Sequence, residues 1–168
     1  MSATAVVKAL VVPNGLDEII ATFGNIFAHL RADGTPNQKW EPKILTVVAI
    51  PFPMRLSFQD TSVRRVRCHK KLAPIVRDLF QQIQGRGLAE KIKTYGGCYQ
   101  FRRKSSGGDL SVHSWGIAFD LNPGTNKMGT TGDMDNALVS IFEEFGFEWG
   151  GRWTKTKDPM HFQYCTGF

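Results

Sequence analysis

Apolar residues recur at helical spacing in three stretches of the chain. Leu16, Ile19, Ile20, Phe23, Ile26, Phe27 and Leu30 form one stripe after the turn-forming run Pro13-Asn14-Gly15. Leu72, Ile75, Val76, Leu79, Phe80 and Ile83 form a second, and Met134, Ala137, Leu138, Ile141, Phe142 and Phe145 a third that stops at Gly146. Each stripe reads as the buried face of an amphipathic helix, so none is assigned chemistry. Strands are predicted from Ile44 to Ile50, around Tyr95 to Phe101, from Ile117 to Leu121 and from His161 to Tyr164. In the third of these Ile117, Phe119 and Leu121 share one face, and Ala118, Asp120 and Asn122 the other. Asp120 therefore points away from the apolar layer, beside an alanine small enough to leave room for a metal or a substrate. Helices and strands do not alternate regularly, which predicts an α+β fold with a small, mainly antiparallel sheet and helices packed around it.

At 168 residues and 42% hydrophobic, the chain can bury one good core but is short for two full domains, so a single domain over residues 1–168 is expected. It contains no internal repeat and no low-complexity tract, and Ser105-Ser106-Gly107-Gly108 is short enough to be a loop. No apolar run approaches the roughly 18 residues of a membrane span. The start, Met1-Ser2-Ala3-Thr4-Ala5-Val6-Val7-Lys8, lacks the basic and long apolar regions of a secretory signal, so accumulation in the cytoplasm is expected. Cys68, Cys98 and Cys165 are odd in number and widely spaced, and reduced, buried or half-buried thiols are expected. The net charge of +6 favours polyanions, but Arg64-Arg65, Arg67, Lys70-Lys71 and Arg102-Arg103-Lys104 form short clusters without a nucleic-acid-binding motif. No nucleic-acid partner is therefore expected.

Candidate chemistry gathers in two short stretches, Ser111-Val112-His113-Ser114-Trp115-Gly116-Ile117-Ala118-Phe119-Asp120 and Asp158-Pro159-Met160-His161-Phe162. His113, Asp120 and His161 supply three ligands of the types that catalytic zinc uses, and Asp158 is a spare carboxylate three residues before the last. Zinc lowers the pKa of a bound water from about 15.7 to roughly 7, and a carboxylate that is not a ligand can then move its proton. Trp115-Gly116 allows a turn after His113, and Pro159 disfavours helix at Asp158, so Asp158 and His161 are expected to converge from a turn entering a strand. A single His-x6-Asp pair has little specificity by itself. His29 and His69 have no second ligand at suitable spacing and read as packing or capping residues.

Taken together, the motifs resemble the D-alanyl-D-alanine carboxypeptidase and L-alanyl-D-glutamate endopeptidase family of zinc peptidases, which includes many phage endolysins. The family pattern S-x-H-x-x-G-x-A-x-D is met by Ser111, His113, Gly116, Ala118 and Asp120. Its Trp-Gly-Gly-x-Trp stretch is met by Trp149-Gly150-Gly151-Arg152-Trp153, and its [DE]-x-x-H-F element by Asp158, His161 and Phe162. The resemblance runs from about Tyr95 to Tyr164, and more loosely towards the N-terminus.

This resemblance implies a Hedgehog/DD-peptidase-like fold with one catalytic Zn2+ held by His113, Asp120 and His161, and Asp158 as general base. Many relatives carry glutamate there, and the shorter aspartate resembles the endopeptidase-like branch. It also implies an arginine shortly before the Ser-x-His element. Arg102, directly after Cys98-Tyr99-Gln100-Phe101, is the candidate to hold a substrate carboxylate or an oxyanion, while Arg103 and Lys104 read as a solvated loop. Ser111 is open between orienting a ligand and serving as a turn residue, and Trp149 and Trp153 between walling a cleft and packing in the core. The implied activity is hydrolysis of an amide in the stem peptide of peptidoglycan by a monomeric, cytoplasmically accumulated enzyme that acts after release to the wall. The basic charge would aid contact with an anionic cell wall. L-alanyl-D-glutamate endopeptidase activity leads, D-alanyl-D-alanine carboxypeptidase activity is the runner-up, and a non-catalytic metal-containing binding module is the alternative of another class.

Overall fold

Leu16, Ile19, Ile20 and Phe23 drive the first helix, α1 (Gly15–Phe23), whose Ile19 and Phe23 are buried. The computed structural model describes residues 10–105 and 107–168; the reading of Met1 to Lys8, and Ser106 of the predicted loop, lie outside the described residues. The apolar stripe predicts one helix through Leu30, but the chain leaves the helix at Gly24 (φ 102°) and resumes as a short 3-10 turn, Ile26–His29. Glycine makes that break possible because it tolerates positive φ. The carbonyl of Gly24 accepts the indole N–H of Trp115 at 2.8 Å, tying the helix end to the turn that carries His113.

A one-turn helix, α2 (Glu41–Ile44), leads into β1 (Leu45–Arg55), longer than the predicted strand and continuing through Pro51 and Pro53. Its antiparallel partner β2 (Ser62–His69) is an addition to the predicted elements. Pairing runs from Leu45 opposite His69 to Arg55 opposite Ser62, with a register shift between Ala49 and Met54. Both prolines fall within that shift, where a missing N–H costs no regular ladder bond. The inner face of the pair buries Val48, Ile50, Phe52, Met54, Val66 and Cys68 against α3 (Ala73–Gly85), the second predicted helix.

The second sheet has the order β3-β4-β6-β5, built from β3 (Tyr95–Gly97), β4 (Ala118–Leu121), β5 (Glu148–Trp149) and β6 (His161–Gln163), antiparallel throughout. The third predicted helix forms as α4 (Asn136–Glu144), capped by Asp135, whose Oδ1 accepts from Ala137 N at 2.9 Å and Leu138 N at 3.4 Å. Phe119 of β4 meets Phe80 of α3, Phe142 of α4 and Phe147 at ring separations of 5.8–5.9 Å, and Phe142 packs on Phe162 of β6 at 4.4 Å. This aromatic layer welds both long helices to the sheet that carries the candidate ligands. The fold is α+β with antiparallel sheets, as predicted, although the described residues form two sheets rather than one.

The three cysteines are free and buried, as expected, and burial pushes the Cys68 and Cys165 thiols up to about 12. His69 accepts from Lys71 N through Nδ1 and faces the Phe23 carbonyl through Nε2 at 2.9 Å, and His29 stacks on Trp40. Both are the structural histidines that the sequence predicts. Among the described residues no helix is long and apolar enough to cross a membrane.

Candidate metal centre

His113 sits in a 3-10 turn, Val112–Trp115, whose start is capped by Ser111 Oγ accepting from His113 N at 3.4 Å. The turn ends at Gly116, in the left-handed region with φ 69°. A Cβ there would also lie 3.0 Å from His69 N and from a Leu45 methyl, so only glycine fits both the backbone and the space. His113 Nδ1 is 2.7 Å from the carbonyl oxygen of Cys98. A carbonyl only accepts, so Nδ1 carries the proton and Nε2 presents its lone pair to the interior.

β4 and β6 supply the other two candidate ligands by register, since Asp120 pairs directly with His161. His113 Nε2, His161 Nδ1 and Asp120 Oδ1 converge, with separations of 3.2, 3.2 and 3.1 Å. Tetrahedral zinc with bonds of about 2.0–2.1 Å holds its ligand atoms about 3.3 Å apart, so the triangle has the right size for that ion. The two histidines are buried and the Asp120 side chain is 17% exposed, so three electron-rich atoms face one another with little water to separate them. A cation or a proton must sit among them. Burial drives the Asp120 carboxyl upward, but where no metal is bound and His113 and His161 carry protons towards it, their hydrogen bonds and charge outweigh burial and hold the group far below the ordinary carboxylate range.

Asp158 is fixed through its backbone. Its N–H donates to Gly150 O at 2.9 Å, its carbonyl accepts from His161 N at 3.0 Å, and the Trp149 indole donates to Pro159 O at 2.8 Å. A Cβ on Gly150 would stand 2.5 Å from Asp158 O, and one on Gly151 would strike the Trp149 ring. The Trp-Gly-Gly stretch is thus the mould for the Asp158 turn. Asp158 Oδ1 is buried and has no hydrogen-bond partner, and burial raises the carboxyl above its ordinary range, with Asp120 adding to the rise and His161 opposing it. An unpaired buried carboxylate oxygen is costly, so its presence calls for an explanation such as a catalytic role or an ion.

Arg102, Ser111, Trp153, Asp158, His161 and Gln163 line one cleft of about 1080 Å3, joined by the basic Lys104, Arg152 and Lys155. The Arg102 guanidinium lies 3.7 Å from Asp120 Oδ2, so it meets the Asp120 carboxylate as well as the cleft. Trp153 walls the cleft with its ring 5.6 Å from that of His161, and its indole N–H is held by Glu148. Trp149 does not line the cleft; it stacks on Phe162 and holds the turn at Pro159. Arg103 donates to Gly108 O and lies outside the cleft.

Several supporting residues escaped sequence reasoning. Ser114 Oγ bonds both the N–H and the carbonyl of Arg102, at 3.1 and 3.0 Å, and so fixes the backbone that presents the guanidinium. Its position inside the His113 motif was the only available signal. Gln163 Oε1 lies 3.0 Å from His161 Nε2, and its alternation with His161 along β6 was a signal that the strand prediction already contained.

Residues 104–164 match the family model described as D-alanyl-D-alanine carboxypeptidase. The matched stretch includes His113, Asp120, Asp158 and His161, and Arg102 falls two residues before it. The match bears out the resemblance read from the motifs. No curated protein matches the chain.

Proposed function

We propose that the chain forms one zinc peptidase domain that hydrolyses an amide bond in the stem peptide of peptidoglycan, with L-alanyl-D-glutamate endopeptidase activity of the phage-endolysin type as the leading reading. The observation that carries it is the triangle of His113 Nε2, Asp120 Oδ1 and His161 Nδ1 beside the unpaired Asp158 Oδ1. These three residues would hold the metal, which when bound supplies a Lewis acid and acidifies water. Asp158 takes the proton of the attacking water on its carboxylate and returns it to the leaving amine nitrogen. Arg102 is within reach of both the cleft and Asp120 Oδ2, and its guanidinium would bind a substrate carboxylate or the developing oxyanion.

At about 1080 Å3 the cleft lies slightly above the roughly 300–1,000 Å3 usual for small-ligand sites, which supports a peptide segment as the substrate in either reading. Lys104 and Lys155 add positive charge suited to the acidic residues of a stem peptide and to an anionic wall, whereas Arg152 is paired with Glu143. The family description supports D-alanyl-D-alanine carboxypeptidase activity as the second reading. Against a non-catalytic binding module stands Asp158, whose buried, unpaired carboxylate such a module does not need.

Mass spectrometry of muropeptides released from purified peptidoglycan by the zinc-loaded protein tests this. New termini between L-Ala and D-Glu support the endopeptidase, loss of a terminal D-Ala the carboxypeptidase, and tight binding without products the module. Asp158→Ala is expected to lower turnover by about 10²–10⁴-fold while keeping its zinc, whereas His161→Ala loses both. An Asp158→Ala enzyme with near-normal turnover removes Asp158 as the base.

A further inference from the structure

His161 and Gln163 stand two residues apart on β6, both buried, and therefore share one side of the strand. His161 Nε2 is 3.0 Å from Gln163 Oε1, and Gln163 Nε2 donates to the carbonyl oxygen of Cys165 at 3.4 Å. Because that carbonyl can only accept, the amide must turn its NH2 towards Cys165 and its oxygen towards His161. The oxygen in turn can only accept, so His161 Nε2 carries the proton. The free lone pair is then on Nδ1, the atom that faces Asp120 Oδ1 at 3.1 Å and His113 Nε2 at 3.2 Å.

His113 has the opposite arrangement, since the Cys98 carbonyl holds its proton on Nδ1 and frees Nε2. We infer that Gln163 is a positioning residue for the metal, one that reads the Cys165 carbonyl and thereby fixes His161 as an Nδ1 ligand complementary to the Nε2 ligand His113. The two imidazoles thus reach one point from different ring atoms, each tautomer set by a backbone carbonyl, directly for His113 and through one side-chain amide for His161. Loss of the amide oxygen leaves a buried N–H without a partner and the ring free to re-orient, which weakens the ligand without removing it. This inference rests on the metal-centre reading above.

The test compares zinc affinity, by competition with a chromophoric chelator, in the wild-type protein, Gln163→Leu and Gln163→Glu. It is combined with long-range nitrogen-15 NMR of the His161 ring in the wild type. Gln163→Leu is expected to bind zinc about ten- to a hundredfold more weakly, and Gln163→Glu, which keeps an acceptor, to recover most of that loss. The NMR spectrum is expected to show His161 protonated at Nε2, with zinc perturbing Nδ1. A Gln163→Leu protein that melts like the wild type and binds zinc equally well overturns the inference, as does zinc on His161 Nε2. If Gln163→Leu does not fold, the wild-type spectrum decides. A wild-type protein that takes up no zinc overturns the metal reading instead, and a proton on Nδ1 of His161 in that protein would still overturn the tautomer assignment.

Discussion

Asp120 and Asp158 belong to one centre, yet their surroundings drive their carboxyls in opposite directions. Asp120 faces two imidazoles and is held ionised, as its proposed role of ligand requires, whereas burial makes Asp158 hold a proton more readily, as its proposed role of proton carrier requires. A third group shows the same physics in a structural role. Burial lowers His69 from about 6.5 to about 4, with the Phe23 carbonyl only partly opposing it and the charges of Lys71 and Lys70 adding to the fall. A base depressed in the folded state stabilises the fold above its unfolded pKa and loses that contribution as pH falls towards the folded one. The protein is therefore expected to lose on the order of 3 kcal/mol of stability between about pH 6.5 and pH 4 through this residue. Urea midpoints at pH 7 and pH 4.5 check it, with a shallower dependence expected for His69→Gln. At this scale the candidate ligands are legible as a set, because chemistry restricts which side chains can bind zinc, and the fold brings His113, Asp120 and His161 together. Gln163 and Ser114 are not legible, because their roles depend on which backbone carbonyls and N–H groups the fold brings beside them.

At the scale of elements, the short connections do as much as the strands. Trp149-Gly150-Gly151 shapes the Asp158 turn from outside, and the absent Cβ of Gly150 is the space that the Asp158 carbonyl occupies. Gly150→Ala is expected to cost about 1–3 kcal/mol by overpacking and to lower kcat by about a hundredfold through displacement of Asp158. Urea unfolding and steady-state kinetics measure the two effects, and an unchanged kcat would show that the turn tolerates the shift. The predicted helices over the second and third stripes were legible because their apolar spacing is long and uninterrupted. The first was overextended, since Ile26, Phe27 and Leu30 continue the spacing beyond Gly24, and a periodicity count does not register a glycine that turns the chain. β2 escaped because Arg64, Arg65 and Arg67 dominate its sequence and read as a charge cluster, while Val66 and Cys68 alone mark its buried face. β5, only two residues long, has no periodicity to find.

For the whole molecule, the candidate ligands join a turn, β4 and β6, so a bound ion would cross-link the chain between positions 113 and 161. Ligand binding to the folded state alone stabilises it by about 2.7 kcal/mol at a hundred times Kd. Cys98 offers a way to observe that coupling. Its carbonyl holds His113 and its thiol is buried, with burial pushing it well above the ordinary range, so an alkylating reagent can react there only when the structure opens. Wherever opening releases the metal, zinc at a hundred times Kd is expected to slow Cys98 alkylation about a hundredfold, and a chelator to restore the rate. An alkylation rate indifferent to zinc would mean that the segment opens without disturbing the centre. The residue beside the candidate ligand thus doubles as an internal clock, and the chain, without an added label, can time its own breathing.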